Sequence, residues 1–220
     1  MRNLLITLSS IVFLFTINSD AKAQTSFYEH PDFASKAPSH QTIAILPFDV
    51  SVNLRPKDMK GMTKDQIESM EESESKGVQS ALFSWFMKRK KQGRFNQEVQ
   101  SPQKTNAKLL RAGITPELMA AYEPSEICEI LGVDAYFGGT MATNKLMNQG
   151  AAIASQILLG ASVGPQVTLT LSVYEGESNE LMCNYQKKLT GSGFSTNQDL
   201  INVLMRKASR RIAYTSSFGE

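Results

Sequence analysis

The stretch "HQTIAILPFDVSV", residues 40–52, sets the class of fold that the rest of the chain completes. Its apolar residues, at 43–46 and at Phe48, form a nearly continuous run. A short run of this kind is typical of a strand covered on both faces, whereas a strand with one wet face alternates. Pro47 lies near the end of the run, where a missing backbone N–H is tolerated. The stretch therefore predicts a buried strand in a sheet that carries helices.

The next pattern along the chain is helical. Thr63 and Gln66 have the spacing of a capping box, which predicts a helix over about 63–90. Apolar residues recur in this segment at steps of three and four and form one stripe. Gly77 weakens the helix and marks a place where it can break. Acidic residues crowd the first half and basic residues the end, an order that complements the helix dipole.

Shorter elements follow the long helix. Ser-Pro and Thr-Pro pairs predict helix starts because proline is favoured at the first helical position. A glycine after an apolar turn predicts a helix end. These signals predict a weak strand at 94–100, helices beginning at Ser101, Thr115 and Ser125, a helix end at Gly132, a strand at 133–143, and a last helix beginning near Ser195 or Asn197.

A β-hairpin is predicted at 165–191. Apolar and polar residues alternate over 167–174, and the alternation continues over 181–185. The segment "EGESNE" at 175–180 supplies the turn. The order of strand, helix, short helices, strand, hairpin and helix predicts a single α/β domain at 41–216. We expect a mixed sheet packed against helices, as a two-layer or three-layer sandwich.

The first 23 residues have the three parts of a secretory signal peptide. Arg2 gives a positive start, residues 4–17 are mostly apolar, and Ala21-Lys22-Ala23 is an A-x-A cleavage site. The alternative, a retained membrane anchor, requires a longer apolar run. We therefore expect a chain that is periplasmic or secreted after cleavage near Ala23. Residues 24–40 are expected to form a linker to the domain.

The net charge gives no general case for a polyanionic partner. The chain has 23 basic and 21 acidic side chains, a net charge of +2. Removal of residues 1–23, which include Arg2, Lys22 and Asp20, leaves 21 basic and 20 acidic side chains, a net charge of +1. We therefore expect no nucleic-acid partner.

Few side chains suited to catalysis or metal binding fall inside the predicted domain. His30 and His40 both precede it, which removes most histidine-based catalysis and most zinc sites. Asp49 and Asp134 each lie beside a predicted strand and suggest a carboxylate pair, but Asp134 is better placed to cap or turn the chain. The sequence has no P-loop and no nucleophile-elbow motif. We predict no catalytic residue, no metal site, no cofactor and no enzyme activity.

Two further features receive structural interpretations. Gly138-Gly139 lacks the third glycine of a dinucleotide-binding motif, and we interpret the pair as close backbone packing or a bulge. Export permits a disulfide between Cys128 and Cys183, and the alternative is that both are small buried thiols.

The segment "KRKKQGR" at 88–94 is the densest basic patch in the chain. One interpretation is a site for an anionic ligand such as lipid headgroups, polysaccharide or peptidoglycan. The other is a solvated helix end that the helix dipole favours. The candidate ligand-binding residues are Lys88, Arg89, Lys90, Lys91 and Arg94.

The segment "NQGAAIASQILLGASVGPQ" at 148–166 carries no charge and is rich in small residues. Its polar residues and Pro165 make it a poor membrane span, which needs about 20 mostly apolar residues. Two interpretations remain: a crossover packed on its own domain, or a surface that a partner or a second copy covers. On the second interpretation, the partner interface consists of Gly150, Ile153, Ile157, Leu158, Gly160 and Gly164.

Four segments resemble the curli-secretion channel subunit (CsgG-like) family. Its relatives include the amino-terminal domain of the TolB translocation protein and the lipoprotein activators of penicillin-binding proteins. "TIAILPFDVS" is similar to their first strand and "EICEILGVDAYFGGTM" to a helix-then-strand segment. The small-residue segment at 148–166 is similar to their loop, and the hairpin at 167–191 to their hairpin. The resemblance spans about 42–212 and implies an α/β fold, an envelope setting and a role in assembly or regulation without catalysis.

The chain departs from that family in three ways. The turn at 175–180 does not have the usual D-x-x-T-G-E form, no lipid-bearing cysteine follows the cleavage site, and alternating transmembrane hairpins are not evident. The resemblance therefore does not imply pore formation.

The sequence as a whole predicts an exported, non-enzymatic interaction module of a bacterial cell-envelope assembly or secretion system. Its expected partners are envelope proteins or a second copy of the chain, with peripheral membrane or cell-wall contact as a further expectation. The rival prediction is a peptidoglycan- or polysaccharide-binding periplasmic protein that uses the basic helix end.

Overall fold

The computed structural model describes residues 25–54, 56–116, 118–145, 165–191 and 195–215. Within these residues, the strands are β1 (Thr25–Glu29), β2 (Thr42–Ile45), β3 (Asp49–Leu54), β4 (Glu98–Val99), β5 (Ala135–Lys145), β6 (Gln166–Glu175) and β7 (Leu181–Thr190). They form one sheet in the order β1-β7-β6-β5-β2-β4, and β3 also pairs with β5. The pairs β2–β4, β2–β5 and β3–β5 are parallel and the others antiparallel. The predicted α/β fold with a mixed sheet is confirmed.

The apolar run at 40–52 forms two short strands and not the single strand predicted. Ile45 lies opposite Phe137 and Asp49 lies opposite Thr140, so the run has one more residue between these pairs than β5 has. The extra residue acts as a bulge. It falls beside Pro47, which has no N–H to give to a ladder.

The predicted hairpin is confirmed. β6 pairs with β7 in antiparallel register, and the turn occupies the residues between Glu175 and Leu181. The weak strand predicted at 94–100 is the two-residue β4. The strand predicted at 133–143 lies two residues further on, as β5.

The helices of the described residues are α1 (Phe33–Lys36), α2 (Pro56–Met59), α3 (Lys64–Lys91), α4 (Pro102–Arg111), α5 (Pro124–Leu131) and α6 (Asn197–Ala208). The predicted capping box of Thr63 and Gln66 begins α3, and the Ser101 side chain caps α4. α3 passes through Gly77 without a break. Gly132 ends α5 in the left-handed conformation that glycine adopts easily.

Two predicted helix starts are wrong in detail. α5 begins at Pro124 behind a capping box of Glu123 and Glu126, one residue before the predicted start at Ser125. The helix predicted from Thr115 is a single 3-10 turn, Met119–Ala121.

Helices cover both faces of the sheet. Successive residues of a strand point to opposite faces. Ile43 and Ile45 pack with the buried side chains of α3 and α6, whereas Ala44 and Leu46 pack with those of α4 and α5. The fold is therefore a three-layer sandwich, and β2 is covered on both sides as its continuous apolar run predicts.

Residues 25–40 are part of the folded unit and do not form the predicted linker. β1 pairs with β7 over its whole length, and the side chain of Phe33 in α1 is fully buried. The Pro and Ser residues of this segment predict a linker. The few residues that anchor it to the domain give only a weak signal in the sequence. Phe33 is one such anchor, and it meets the ring of Tyr214 edge-on at a centroid distance of 5.2 Å.

Cys128 and Cys183 are both buried and both free. Cys128 packs in the cluster on the α4–α5 side of the sheet and Cys183 in the cluster on the α3–α6 side. Of the two interpretations given from sequence, the structure has the buried thiols. None of the described helices is long and apolar enough to cross a membrane.

Candidate functional site

The partner surface predicted from sequence lies outside the described residues. It comprises Gly150, Ile153, Ile157, Leu158, Gly160 and Gly164. That surface stays a prediction.

The five candidate anion-binding residues at the end of α3 do not share one exposed face. The Arg89 side chain is buried, with 2% of the residue exposed, so it cannot meet a ligand at the surface. Lys90 donates to the Glu98 carboxylate and to the Gln97 carbonyl. Lys88 lies over the Trp85 ring, with Nζ 4.7 Å from the ring centroid. The five predicted residues therefore do not form one anion-binding patch at the surface.

His40 has a role that the sequence did not indicate. Its Nε2 lies 2.8 Å from Oε1 of Glu175, and its Nδ1 bonds the hydroxyl of Tyr214. Because an ionised carboxylate only accepts, His40 donates from Nε2, which leaves Nδ1 to accept from the Tyr214 hydroxyl in the neutral ring. Oε2 of Glu175 accepts from Lys36 at 2.6 Å and from the hydroxyl of Ser178. We call these five residues the buried network.

Glu175 is held ionised by its partners. Burial alone raises the pKa of this carboxyl, but hydrogen bonds from Lys36, Ser178 and His40, with the charge of Lys36, outweigh burial and lower the pKa from 4.5 to about 2. In return, the hydrogen bond to Glu175 raises the pKa of Lys36. Burial is also the main cause that raises the pKa of Tyr214.

The buried network has the order hydroxyl, imidazole and carboxylate that activates nucleophiles in many enzymes. Here Tyr214, His40 and Glu175 are 5%, 6% and 2% exposed, so a substrate does not reach the hydroxyl. The network instead joins the segment before β2, the end of β6 and the end of the described chain. Its geometry serves to hold these three segments together.

The carboxylate pair considered from sequence is not formed. Oδ2 of Asp134 accepts from the backbone N–H groups of Gln41 and Thr42, both at 2.8 Å, and so caps the start of β2. Asp49 lies beyond the other end of β2, where it lines a groove. Asp134 thus binds backbone N–H groups, but those of a distant strand and not those of the chain after Gly132.

The groove that Asp49 lines has a volume of about 730 Å³. It lies at the carboxyl end of β2, the side at which open α/β sheets bind ligands. The link from β2 to β3 forms its floor, the first half of α3 forms one wall, and α4 with the following turn forms the other. We call it the acidic groove.

One wall of the acidic groove is charged and the other is apolar. Among the described residues, four carboxylates and one lysine line it: Asp49, Glu68, Glu71, Glu72 and Lys76. The apolar wall includes Leu110, Ile114, Pro116 and Met119. Leu110 is 79% exposed, the largest exposure among the big apolar side chains described.

Part of the acidic wall serves the fold. Oε1 of Glu71 accepts from the backbone N–H of Val52 at 3.0 Å, and Glu72 pairs with Lys76 at 2.6 Å. Glu68 pairs with Lys64 at 3.1 Å and keeps 56% of its side chain exposed. The groove can therefore offer carboxylate oxygens and an apolar surface to one ligand. No group of three or more His, Cys, Asp or Glu side chains in the described ranges is arranged to hold a metal ion.

Sequence reasoning missed both the groove and the network. The acidic first half of α3 was visible, but it was interpreted only through the helix dipole. Leu110 follows another leucine, Leu109, in the helix predicted from Ser101, and nothing local marks it as exposed. The partners of His40 are 135 and 174 residues away in the chain.

No protein-family model matches the chain, and a search of curated proteins gives no match. The solved structures similar to it include the PelC dodecamer from Paraburkholderia phytofirmans, at 8% identity and TM-score 0.46, over 89% of this chain and 99% of that one. Lipoprotein GNA1162 from Neisseria meningitidis is similar at 12% identity and TM-score 0.40, over 76% and 93%. The LpoB C-terminal domain from Salmonella enterica is similar at 9% identity and TM-score 0.34, over 72% and 93%. Neither a curli-secretion channel subunit nor a TolB protein is among these neighbours, so that resemblance stays a prediction.

Proposed function

We propose that the chain is an exported, non-enzymatic interaction module of a bacterial cell-envelope assembly or secretion system. The acidic groove carries the proposal, as a docking site for a segment of a partner protein. The signal peptide predicted at residues 1–23 supports the envelope setting.

The two walls of the groove define the partner segment by complementarity. Leu110 presents an exposed apolar surface. A partner that covers it gains roughly 25 cal/mol of binding free energy per Å² of apolar area removed from water. Asp49 and Glu68 face the same space with carboxylates, so a lysine or arginine beside an apolar side chain satisfies both walls. An anionic segment is disfavoured for the same reason.

The experiment is affinity capture from envelope extract with three forms of the chain: wild type, Leu110→Ser and Leu118→Ser. Leu118 is 49% exposed but does not line the groove, so it is a matched control. We expect specific partners that wild type and Leu118→Ser retain and that Leu110→Ser loses. Peptides from those partners should bind more weakly to Glu68→Lys than to wild type.

Capture of the same proteins by all three forms would exclude the acidic groove as the docking site. Partner peptides that are acidic, or that bind Glu68→Lys as well as wild type, would contradict the charge argument. Thermal unfolding of each variant checks that the exposed substitutions leave the fold intact.

A further inference from the structure

The ends of α3 and α6 bring together cations that are far apart in sequence. Nη2 of Arg89, in the last turn of α3, lies 3.5 Å from the Arg206 carbonyl and 3.5 Å from the hydroxyl of Ser209 at the end of α6. Both helices end in basic residues. The charges of Arg94, Arg206 and Arg210 act on Arg89. We call the cations in and just after the last turns of these two helices, apart from the buried Arg89 and the paired Lys90, the basic end: Lys88, Lys91, Arg94, Arg206, Lys207, Arg210 and Arg211.

The buried guanidinium of Arg89 lies close to other cations of the basic end. Among the described residues, its Nε has no hydrogen-bond partner and no ion pair includes Arg89. Burial lowers the pKa of Arg89, and the charges of Arg210, Arg94 and Arg206 lower it further. The negative ends of two helix dipoles compensate part of this charge.

Two cations of the basic end are available to a ligand. Lys207 and Arg211 are exposed, and no ion pair among the described residues involves either of them. Both also lower the pKa of Lys187 on β7, after burial as the main cause. The helix dipole accounts for cations on one helix end, but it does not require two such ends to meet. The overall net charge does not account for them either, since it is only +2.

The aromatic residue of this surface indicates which anion fits. A sugar ring binds by stacking on an open aromatic face, but the Trp85 ring packs against the core, and Lys88 and Arg89 lie 4.7 and 5.6 Å from its centroid. Phe95 and Tyr214 nearby are buried. Four of the seven cations are arginines, whose planar guanidinium matches phosphate oxygens. Cations spread along two helix ends match an array of phosphates better than a single ion.

We infer that the basic end binds the phosphate headgroups of an anionic bilayer surface, as a peripheral contact separate from the acidic groove. Each lysine or arginine near such a surface adds its own electrostatic attraction to the anionic headgroups. This attraction decays within a Debye length. The contact holds the chain against the membrane surface without a spanning segment.

The test is co-sedimentation of the full mature chain with vesicles of phosphatidylglycerol and phosphatidylethanolamine. We expect binding to these vesicles and not to phosphatidylcholine vesicles, with loss of binding as salt is raised. The double substitution Lys207→Gln and Arg211→Gln should lower the partition coefficient by roughly thirtyfold. The matched control, Lys60→Gln with Lys104→Gln, removes two exposed lysines elsewhere and should leave binding within about twofold.

Four outcomes would overturn the inference. One is equal binding to phosphatidylglycerol and phosphatidylcholine vesicles. Another is an equal loss in both double variants. The third is retention on purified peptidoglycan or anionic polysaccharide without retention on vesicles, which would assign the basic end to the cell wall. The fourth is a rise in the thermal midpoint with inorganic phosphate alone that equals the rise with vesicles, which would indicate a single-ion pocket. Thermal unfolding of each variant without vesicles separates loss of binding from loss of fold.

Discussion

At the scale of single residues, Glu175 has the most unusual environment among the described carboxylates. It is 2% exposed, yet three side chains donate to it: Lys36, His40 and Ser178. A buried carboxylate costs free energy unless its oxygens are satisfied. Here they are satisfied by residues from the start of the described chain and from the turn after β6, so one side chain fixes two segments.

Glu175→Gln should lower the free energy of unfolding, by about 3 kcal/mol at pH 7 if the whole pKa shift is lost. The folded pKa is depressed to about 2 from 4.5, so the stabilisation is present above pH 4.5 and is lost as the pH falls through about 2. The gap between wild type and variant in urea unfolding should therefore close over that range. Glu177→Gln, at an exposed neighbour, is the control and should show no gap. A gap that stays constant with pH would mean that the ionised carboxylate is not the source.

Gly139 and Gly138 are adjacent in sequence, but only at Gly139 does the packing require a residue without a Cβ. A Cβ on Gly139 would lie 2.0 Å from the carbonyl oxygen of Thr170 on β6, whereas a Cβ on Gly138 would lie 3.6 Å from the Tyr136 ring. The interpretation of the pair as close backbone packing is confirmed for Gly139.

Gly139→Ala should therefore cost at least about 2 kcal/mol of unfolding free energy, because the strands must separate to admit the methyl group. Gly138→Ala should change it by less than about 1 kcal/mol. Denaturant midpoints of the two variants, measured side by side, give the comparison. Equal midpoints would show that β5 can shift at Gly139 without loss.

At the scale of elements, side chains of α3 donate hydrogen bonds to backbone carbonyls at the interruption between β2 and β3. Nε2 of Gln79 donates to the Ile45 carbonyl at 2.7 Å, and the hydroxyl of Ser75 donates to the Phe48 carbonyl at 2.7 Å. Gln79 also exchanges hydrogen bonds with Asn106 of α4, at 2.8 and 3.0 Å. Backbone carbonyls freed by the bulge are thus satisfied by the helix that covers them, as buried carbonyls require.

Gln79→Leu should destabilise the fold by about 2 kcal/mol, because it leaves the Ile45 carbonyl and Asn106 without these partners in the interior. Ser80→Ala on the exposed side of the same helix should have little effect. Thermal denaturation followed by circular dichroism measures both. A fold that tolerates Gln79→Leu as well as Ser80→Ala would mean that another group satisfies the bulge.

At the scale of the whole molecule, a nearly neutral chain has two ends of opposite charge. α3 is 28 residues long, which is about 42 Å, and its acidic half lines the groove while its basic half meets α6. The two proposed binding surfaces therefore lie at opposite ends of one rigid helix. This arrangement lets the chain rest on an anionic surface through one end while a basic partner docks at the other.

The burial of Cys128 and Cys183, in clusters on opposite faces of the sheet, also predicts the reactivity of their thiols. Burial raises the pKa of both Cys128 and Cys183 to about 12, so neither forms a thiolate readily at about pH 8. A thiol reagent should find no reactive thiol in the native chain and two in denaturant. Rapid reaction of a native thiol, or fewer than two after unfolding, would contradict this.

Much of the fold could be predicted from the sequence because its signals are local. The capping box of Thr63, the Ser101-Pro102 start, the Gly132 helix end and the hairpin turn each depend on a few neighbouring residues. The predicted linker is wrong for residues 25–40 because the anchors of this segment, Phe33 and His40, act through residues far along the chain.

The sequence by itself determined the class of fold, the ends of the main helices and the order of charges along α3, since periodicity and capping are properties of short segments. The tertiary structure decided which distant side chains meet. It alone placed His40 against Glu175, made Arg89 a buried cation between two helix ends, and opened the groove beside Leu110. The physical reason is that each of these sites is built from two or more elements, whose juxtaposition depends on the strand order and on which face of the sheet each helix covers.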